Sequence, residues 1–155
     1  MPADASTPPS PMMAVLPQAQ RLGLLGLLPF VFGAMLVWLV GGRNVEAHAW
    51  ISFALSAYAA LIISFLGGIY WGLGFRQSEP SLQPFVWGIM PPLGAWIALV
   101  MPAYAGLVLH GVMLVVCYLV DRRLYPALGA SAWLTLRFRL SAGAALCCFL
   151  GAAGS

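Results

Sequence analysis

Few side chains in this chain could do chemistry: two histidines, four acids and three cysteines among 155 residues. His110 stands in the middle of an apolar run, and an ionisable residue at such depth marks either a functional site or a buried hydrogen bond between helices. The expected state is a neutral ring with one nitrogen held by a neighbouring helix. A bis-histidine haem would need a second histidine at the same level, yet His48 lies ~10 Å away in depth by helix rise. None of the four acids falls mid-helix, so neither a carboxylate proton relay nor a hard-metal site is expected. The chain contains no HExxH, GxSxG or phosphate-loop pattern. No enzyme activity, metal or cofactor is therefore expected. Cys117, Cys147 and Cys148 sit in apolar segments without a CxxC spacing, which reads as three free thiols packing as small hydrophobes.

Three local patterns remain. Residues 64–72 read SFLGGIYWG, with Gly67, Gly68 and Gly72 close together beside Ser64, Tyr70 and Trp71. Gly68-x-x-x-Gly72 has the small-xxx-small spacing that lets two helix backbones approach, and the missing side chains could equally leave room for a ligand or lipid headgroup. Pro91-Pro92 interrupts another apolar run; each proline removes a backbone hydrogen bond, and in a membrane the freed carbonyl must find a partner or line a wet cavity. By helix rise Pro29 lies ~12 Å from Arg21, Gly68 ~12 Å from Arg76, and Pro91 ~12 Å from the start of its own run near Pro84, which puts all three at a similar depth. Finally, Asp121-Arg122-Arg123 closes a helix. Two cations suit a helix C-terminus whereas an aspartate there needs a partner, expected from an arginine of its own loop or from Arg76. A gating or partner-docking role for this cluster is the functional alternative.

The elements that must position these residues follow from composition. With 62% hydrophobic and 7% charged residues and a mean hydropathy of +0.93, the chain is lipid-embedded. Apolar segments cover residues 22–40, 49–75, 85–101, 103–120 and 134–153, and ~20 apolar residues are needed to cross a ~30 Å hydrocarbon core. Long continuous blocks rather than alternating strands exclude a barrel. The fold class is therefore an all-α polytopic bundle of five transmembrane helices over residues 21–155. The second segment is long enough to tilt or protrude, and the fifth places Arg137 and Arg139 at the interface, snorkelling to headgroups. Residues 1–20, with five prolines, read as a disordered tail; no signal or transit peptide is expected.

The chain has no lysine, and Arg21, Arg76, Arg122, Arg123, Arg137 and Arg139 fall on one side of this topology with Arg43 alone on the other. Such a bias predicts a cytoplasmic N-terminus and an outside C-terminus, and argues against dual topology. The net charge of +3 serves topology and contact with anionic lipid. No basic soluble face exists for nucleic acid.

The segment 64–72, preceded by LGLLGLLPF at residues 22–30 and followed by Gly88-Ile89-Met90-Pro91 and Asp121-Arg122-Arg123-Leu124, resembles the transmembrane protein 69 family, also known as domain of unknown function 3429. The similarity runs from Arg21 to Leu150, with Tyr70 where a histidine is more common. The resemblance implies a small multi-pass protein of the bacterial inner membrane, or of mitochondria in animals, and supplies no activity. Two functions are compatible with these readings. One is an accessory, assembly or scaffolding protein that binds another membrane protein or itself within the bilayer. The other is a small oligomeric transporter or lipid-binding protein with a cavity at the level of Gly67, Gly68, Pro91 and Pro92.

Overall fold

A computed structural model describes residues 15–79 and 81–155. Every element of secondary structure among the described residues is helical: α1 (Pro17–Leu25), α2 (Leu28–Val40), α3 (Val45–Gly74), α4 (Gln83–Leu99), α5 (Ala103–Leu124) and α6 (Leu134–Gly154), with one 3-10 turn at Ser131–Trp133. Pro17–Val40, Val45–Gly74, Ala103–Leu124 and Ser131–Gly154 are long and apolar enough to cross a membrane, so the chain is a multi-pass helical membrane protein. At 17 residues α4 falls short of that length.

Local sequence accounts for the breaks. The first apolar segment divides because Pro29, at the start of α2, has no N–H and crowds the carbonyl four residues back. At this break the Tyr58 hydroxyl donates to the Gly26 carbonyl at 2.9 Å. α1 starts at Pro17, so the last four residues of the segment read as tail are helical; residues 1–14 lie outside the described ones. α3 is capped by Asn44, whose side chain accepts from the Ala47 amide at 3.0 Å, with Glu46 in the first turn where the helix dipole favours it. Its 30 residues span ~45 Å, more than a bilayer core. α4 continues as one helix through Pro91 and Pro92. The turns after α2 and α5 each use a glycine with positive φ, Gly42 at 75° and Gly129 at 71°, a conformation that costs glycine nothing.

The helices alternate in direction, which gathers the C-termini of α3 and α5 with the N-termini of α1, α4 and α6 at one arginine-rich end. At the other end the Trp38 indole donates to the Leu150 carbonyl at 2.9 Å and His48 Nε2 pairs with the Gly154 carbonyl at 2.8 Å. The core between them is built from Phe30, Val37, Leu55, Ile63, Leu107, Leu114 and Cys148, all nearly inaccessible.

Candidate functional site

At the arginine-rich end three helices meet on one carboxylate. Asp121, on the last turn of α5, is 1% exposed. Its Oδ1 accepts from the Tyr70 hydroxyl of α3 at 2.5 Å. Its Oδ2 accepts from Arg137 Nε of α6 at 2.7 Å and from a second guanidinium nitrogen of the same arginine. Both oxygens are thus engaged, and the fork geometry is the one that arginine supplies and lysine cannot. Tyr125, just past α5, packs on Tyr70 with ring centroids 5.9 Å apart, and Trp87 of α4 meets Tyr70 edge-on at 6.4 Å. Burial pushes the Tyr125 phenol up to about 12. The arrangement is a net-neutral clamp joining α3, α5 and α6, with no vacant charge for a substrate to meet.

Asp121 does pair, as its position at a helix C-terminus requires, but the partner is Arg137. The expectation that Arg137 snorkels to headgroups is corrected: it is 7% exposed and faces inward, while Arg139 is exposed. Two residues on a helix are about 200° apart, so these arginines cannot share a face, and that spacing was the available signal. Arg122 and Arg123 are both exposed and take no part in the clamp.

His110 is fully buried and bridges three helices. Its Nε2 lies 3.2 Å from the Ala95 carbonyl of α4 and its Nδ1 lies 3.2 Å from Ser56 Oγ of α3. A carbonyl can only accept, so Nε2 carries the proton and Nδ1 accepts from Ser56. Room for this cluster comes from Gly106, where an added Cβ would stand 2.4 Å from the Ala98 carbonyl and 3.3 Å from Ser56 Oγ. His48 is held far away at the opposite end.

The glycine segment behaves differently from its small-xxx-small reading. Gly67, not Gly68, makes the close approach: a Cβ there would fall 2.4 Å from the Gly88 carbonyl and 2.8 Å from Pro92 Cδ. Gly88 is equally tight, since a Cβ there would sit 2.5 Å from the Trp71 ring. Pro92 has no N–H for the carbonyl four residues back, that of Gly88, and this carbonyl is the one that faces Gly67. At Gly67 and Pro92 this level is therefore a close-packed crossing of α3 and α4. At Gly68 and Gly72 a Cβ meets nothing within 4 Å, and both residues are exposed. Trp71 covers Gly88 and joins an outer aromatic group with Phe85 and Phe75, at ring distances of 5.3 and 6.1 Å. Ser64 stays half-buried on α3.

An apolar cavity of about 440 Å³ does exist, on the other side of α3, between α1–α2 and α6. Among the described residues no group of His, Cys, Asp and Glu could hold a metal ion. The three cysteines are free and buried.

The family described as "Protein of unknown function (DUF3429)" matches residues 15–153. The chain belongs to it. The chain is also 38% identical over 84 residues to transmembrane protein 69 of Xenopus tropicalis, an alignment covering 52% of this chain and 32% of that protein. The chain thus spans about a third of that relative. No solved structure matches. The family match, residues 15–153, runs through the Tyr70–Asp121–Arg137 clamp and the Gly67–Gly88 crossing alike, so the DUF3429 segment takes in all six helices.

Proposed function

We propose that this DUF3429 protein is an accessory or assembly protein of the bacterial inner membrane, which holds a transmembrane helix of another membrane protein against the outward face of α3. The observation that carries the reading is a stripe of Leu61, Phe65, Gly68, Gly72 and Phe75. The three large residues are 67%, 66% and 72% exposed, and the two glycines open onto empty space. Spacings of four and three alternate along it, which is the 3.5-residue seam of helix-on-helix packing, with the small pair at its centre where a partner backbone would approach. Inside the bundle, close crossings also place glycine opposite backbone, as at Gly67 and Gly106. Gly68 and Gly72 are spent on no internal crossing.

Five spans, with the N-terminus cytoplasmic and the C-terminus outside, fit this reading. α3 ends among the arginines and α5 starts at the opposite end, and α4 is the element that connects them. Its 17 residues rise ~25 Å, close to the ~30 Å core. The transporter reading draws no support from the Gly67 and Pro92 level, which is filled by packing.

A photoreactive amino acid at Leu61 or Phe75, activated in native membranes, is expected to give one discrete adduct with a second polypeptide. Gly68→Leu with Gly72→Leu should abolish it while the bundle stays folded, because both positions are open. Adducts with lipid only would refute the reading, and an adduct of twice the chain mass would make the partner a second copy. A reporter fused after Ser155 should report from outside; cytoplasmic activity would end the five-span topology.

A further inference from the structure

We propose that the cavity between α1–α2, α3 and α6 is a binding site for an uncharged lipid carrying a carbonyl oxygen, with Ser141 as the donor to that oxygen. This goes beyond the helix-docking face, with which the cavity shares Phe65, and is read separately from it, by lipid labelling rather than by a protein adduct at Leu61 or Phe75. The cavity of about 440 Å³ is walled by apolar side chains such as Leu22, Phe30, Ile62 and Leu66, and is partly open. It lies where α1 packs on α6 rather than closely on α3. From Trp133, at the end of the 3-10 turn, into α6 as far as Ala144 its wall rises ~16 Å, which matches one leaflet of a ~30 Å core. Space of this size in an otherwise close-packed interior forfeits contacts on every wall unless something fills it.

The chemistry of the occupant follows from the polar side chains that line the cavity, Ser141, Arg137 and the indole of Trp133, each of which can donate a hydrogen bond. Ser141 is 4% exposed and its hydroxyl has no hydrogen-bond partner. Helical serines usually return that proton to the carbonyl one turn back, so an unused hydroxyl at a buried wall calls for an acceptor from outside the chain. Water is a poor candidate because it needs two to four polar partners, and beside Ser141 the cavity offers a guanidinium already bonded to Asp121 among mostly apolar walls. Arg137 can only donate, and its charge is already balanced by Asp121. A phosphate or carboxylate entering the cavity would bring an uncompensated charge into an apolar site. An oxygen acceptor without charge, on a hydrocarbon skeleton about one leaflet long, satisfies each condition. Prenylquinones and diacylglycerols both supply it.

The test uses the full-length chain in phosphatidylcholine nanodiscs with diazirine-bearing diacylglycerol or diazirine-bearing prenylquinone, mapped by peptide mass spectrometry. Saturable labelling of residues 22–30 and 136–144, competed by the same lipid without the diazirine, is expected from one probe, and the probe that labels identifies the source. Ser141→Ala should weaken half-saturation roughly two- to tenfold, the loss of one net hydrogen bond. Labelling that never saturates, or that spreads evenly over all lipid-facing helices as bulk lipid would, overturns the proposal. So does Ser141→Ala with unchanged half-saturation. If that variant folded poorly, saturation and competition in the unmodified chain would still decide.

Discussion

Removing one partner from the Asp121–Arg137 clamp should cost far more than removing both. Asp121→Asn leaves the guanidinium charged among the buried rings of Tyr70 and Tyr125, and arginine has no neutral form to escape to. An uncompensated buried charge of this kind costs ~3 to 5 kcal/mol. Arg137→Met is milder, because a lone carboxylate can shed its charge by binding a proton and the Tyr70 hydroxyl still bonds to it; ~1 to 3 kcal/mol is expected for the unmet acceptor. The double variant Asp121→Asn with Arg137→Met carries no charge, keeps an acceptor for Tyr70, and should return to within ~1 to 2 kcal/mol of the starting protein, since buried pairs repay little beyond their own desolvation. The coupling between the two positions is then at least ~2 kcal/mol. Thermal unfolding in mild detergent, followed by helical circular dichroism, should show Asp121→Asn lowered by roughly 6 to 20 °C, at ~2 to 4 °C per kcal/mol for a chain of this size. Equilibrium unfolding in mixed micelles gives the cycle itself. If Asp121→Asn falls within 1 kcal/mol of the parent, or the coupling is below ~0.5 kcal/mol, Arg137 is solvated at the interface and the clamp does not exist.

The glycines separate in the same assay. Gly67→Ala drives a methyl into the Gly88 carbonyl and should destabilise by ~1 to 3 kcal/mol, whereas Gly68→Ala and Gly72→Ala should be neutral or stabilising by up to ~1 kcal/mol through helix propensity; equal effects would refute the crossing. Ser56→Ala strips the donor from His110 Nδ1 and should cost ~1 to 3 kcal/mol, while Ser64→Ala, on the same helix but half-buried, should fall within ~0.5 kcal/mol. Burial lifts Tyr125 to about 12, so the folded chain keeps a proton that the unfolded chain releases near ~10. Its contribution to stability is intact below about pH 10 and is lost as pH rises toward 12. Tyr125→Phe should lessen that fall, and an undiminished fall would show Tyr125 to be solvated.

Composition alone determined that this chain is helical and lies in a membrane, because continuous apolar runs with few charges leave backbone groups no partners other than those within a helix. The runs also located the segments to within a few residues: 103–120 became Ala103–Leu124 and 134–153 became Leu134–Gly154. The need of Asp121 for a partner and the burial of His110 were legible too, since each is a polar group whose surroundings are written in its neighbours along the chain. Which glycine packs was not, because Gly67 and Gly68 differ by about 100° around α3 and their local sequence is the same. Only the placement of α4 brings the Gly88 carbonyl to one and leaves the other bare. The same holds for Arg137, whose side chain turns inward because α6 presents that face to Asp121, and for Ser141, whose hydroxyl is left without an acceptor where α1 packs on α6 rather than closely on α3. Local composition states what each residue needs; the tertiary structure decides which neighbour meets the need, because helix rotation and crossing are set by packing between segments far apart in the chain.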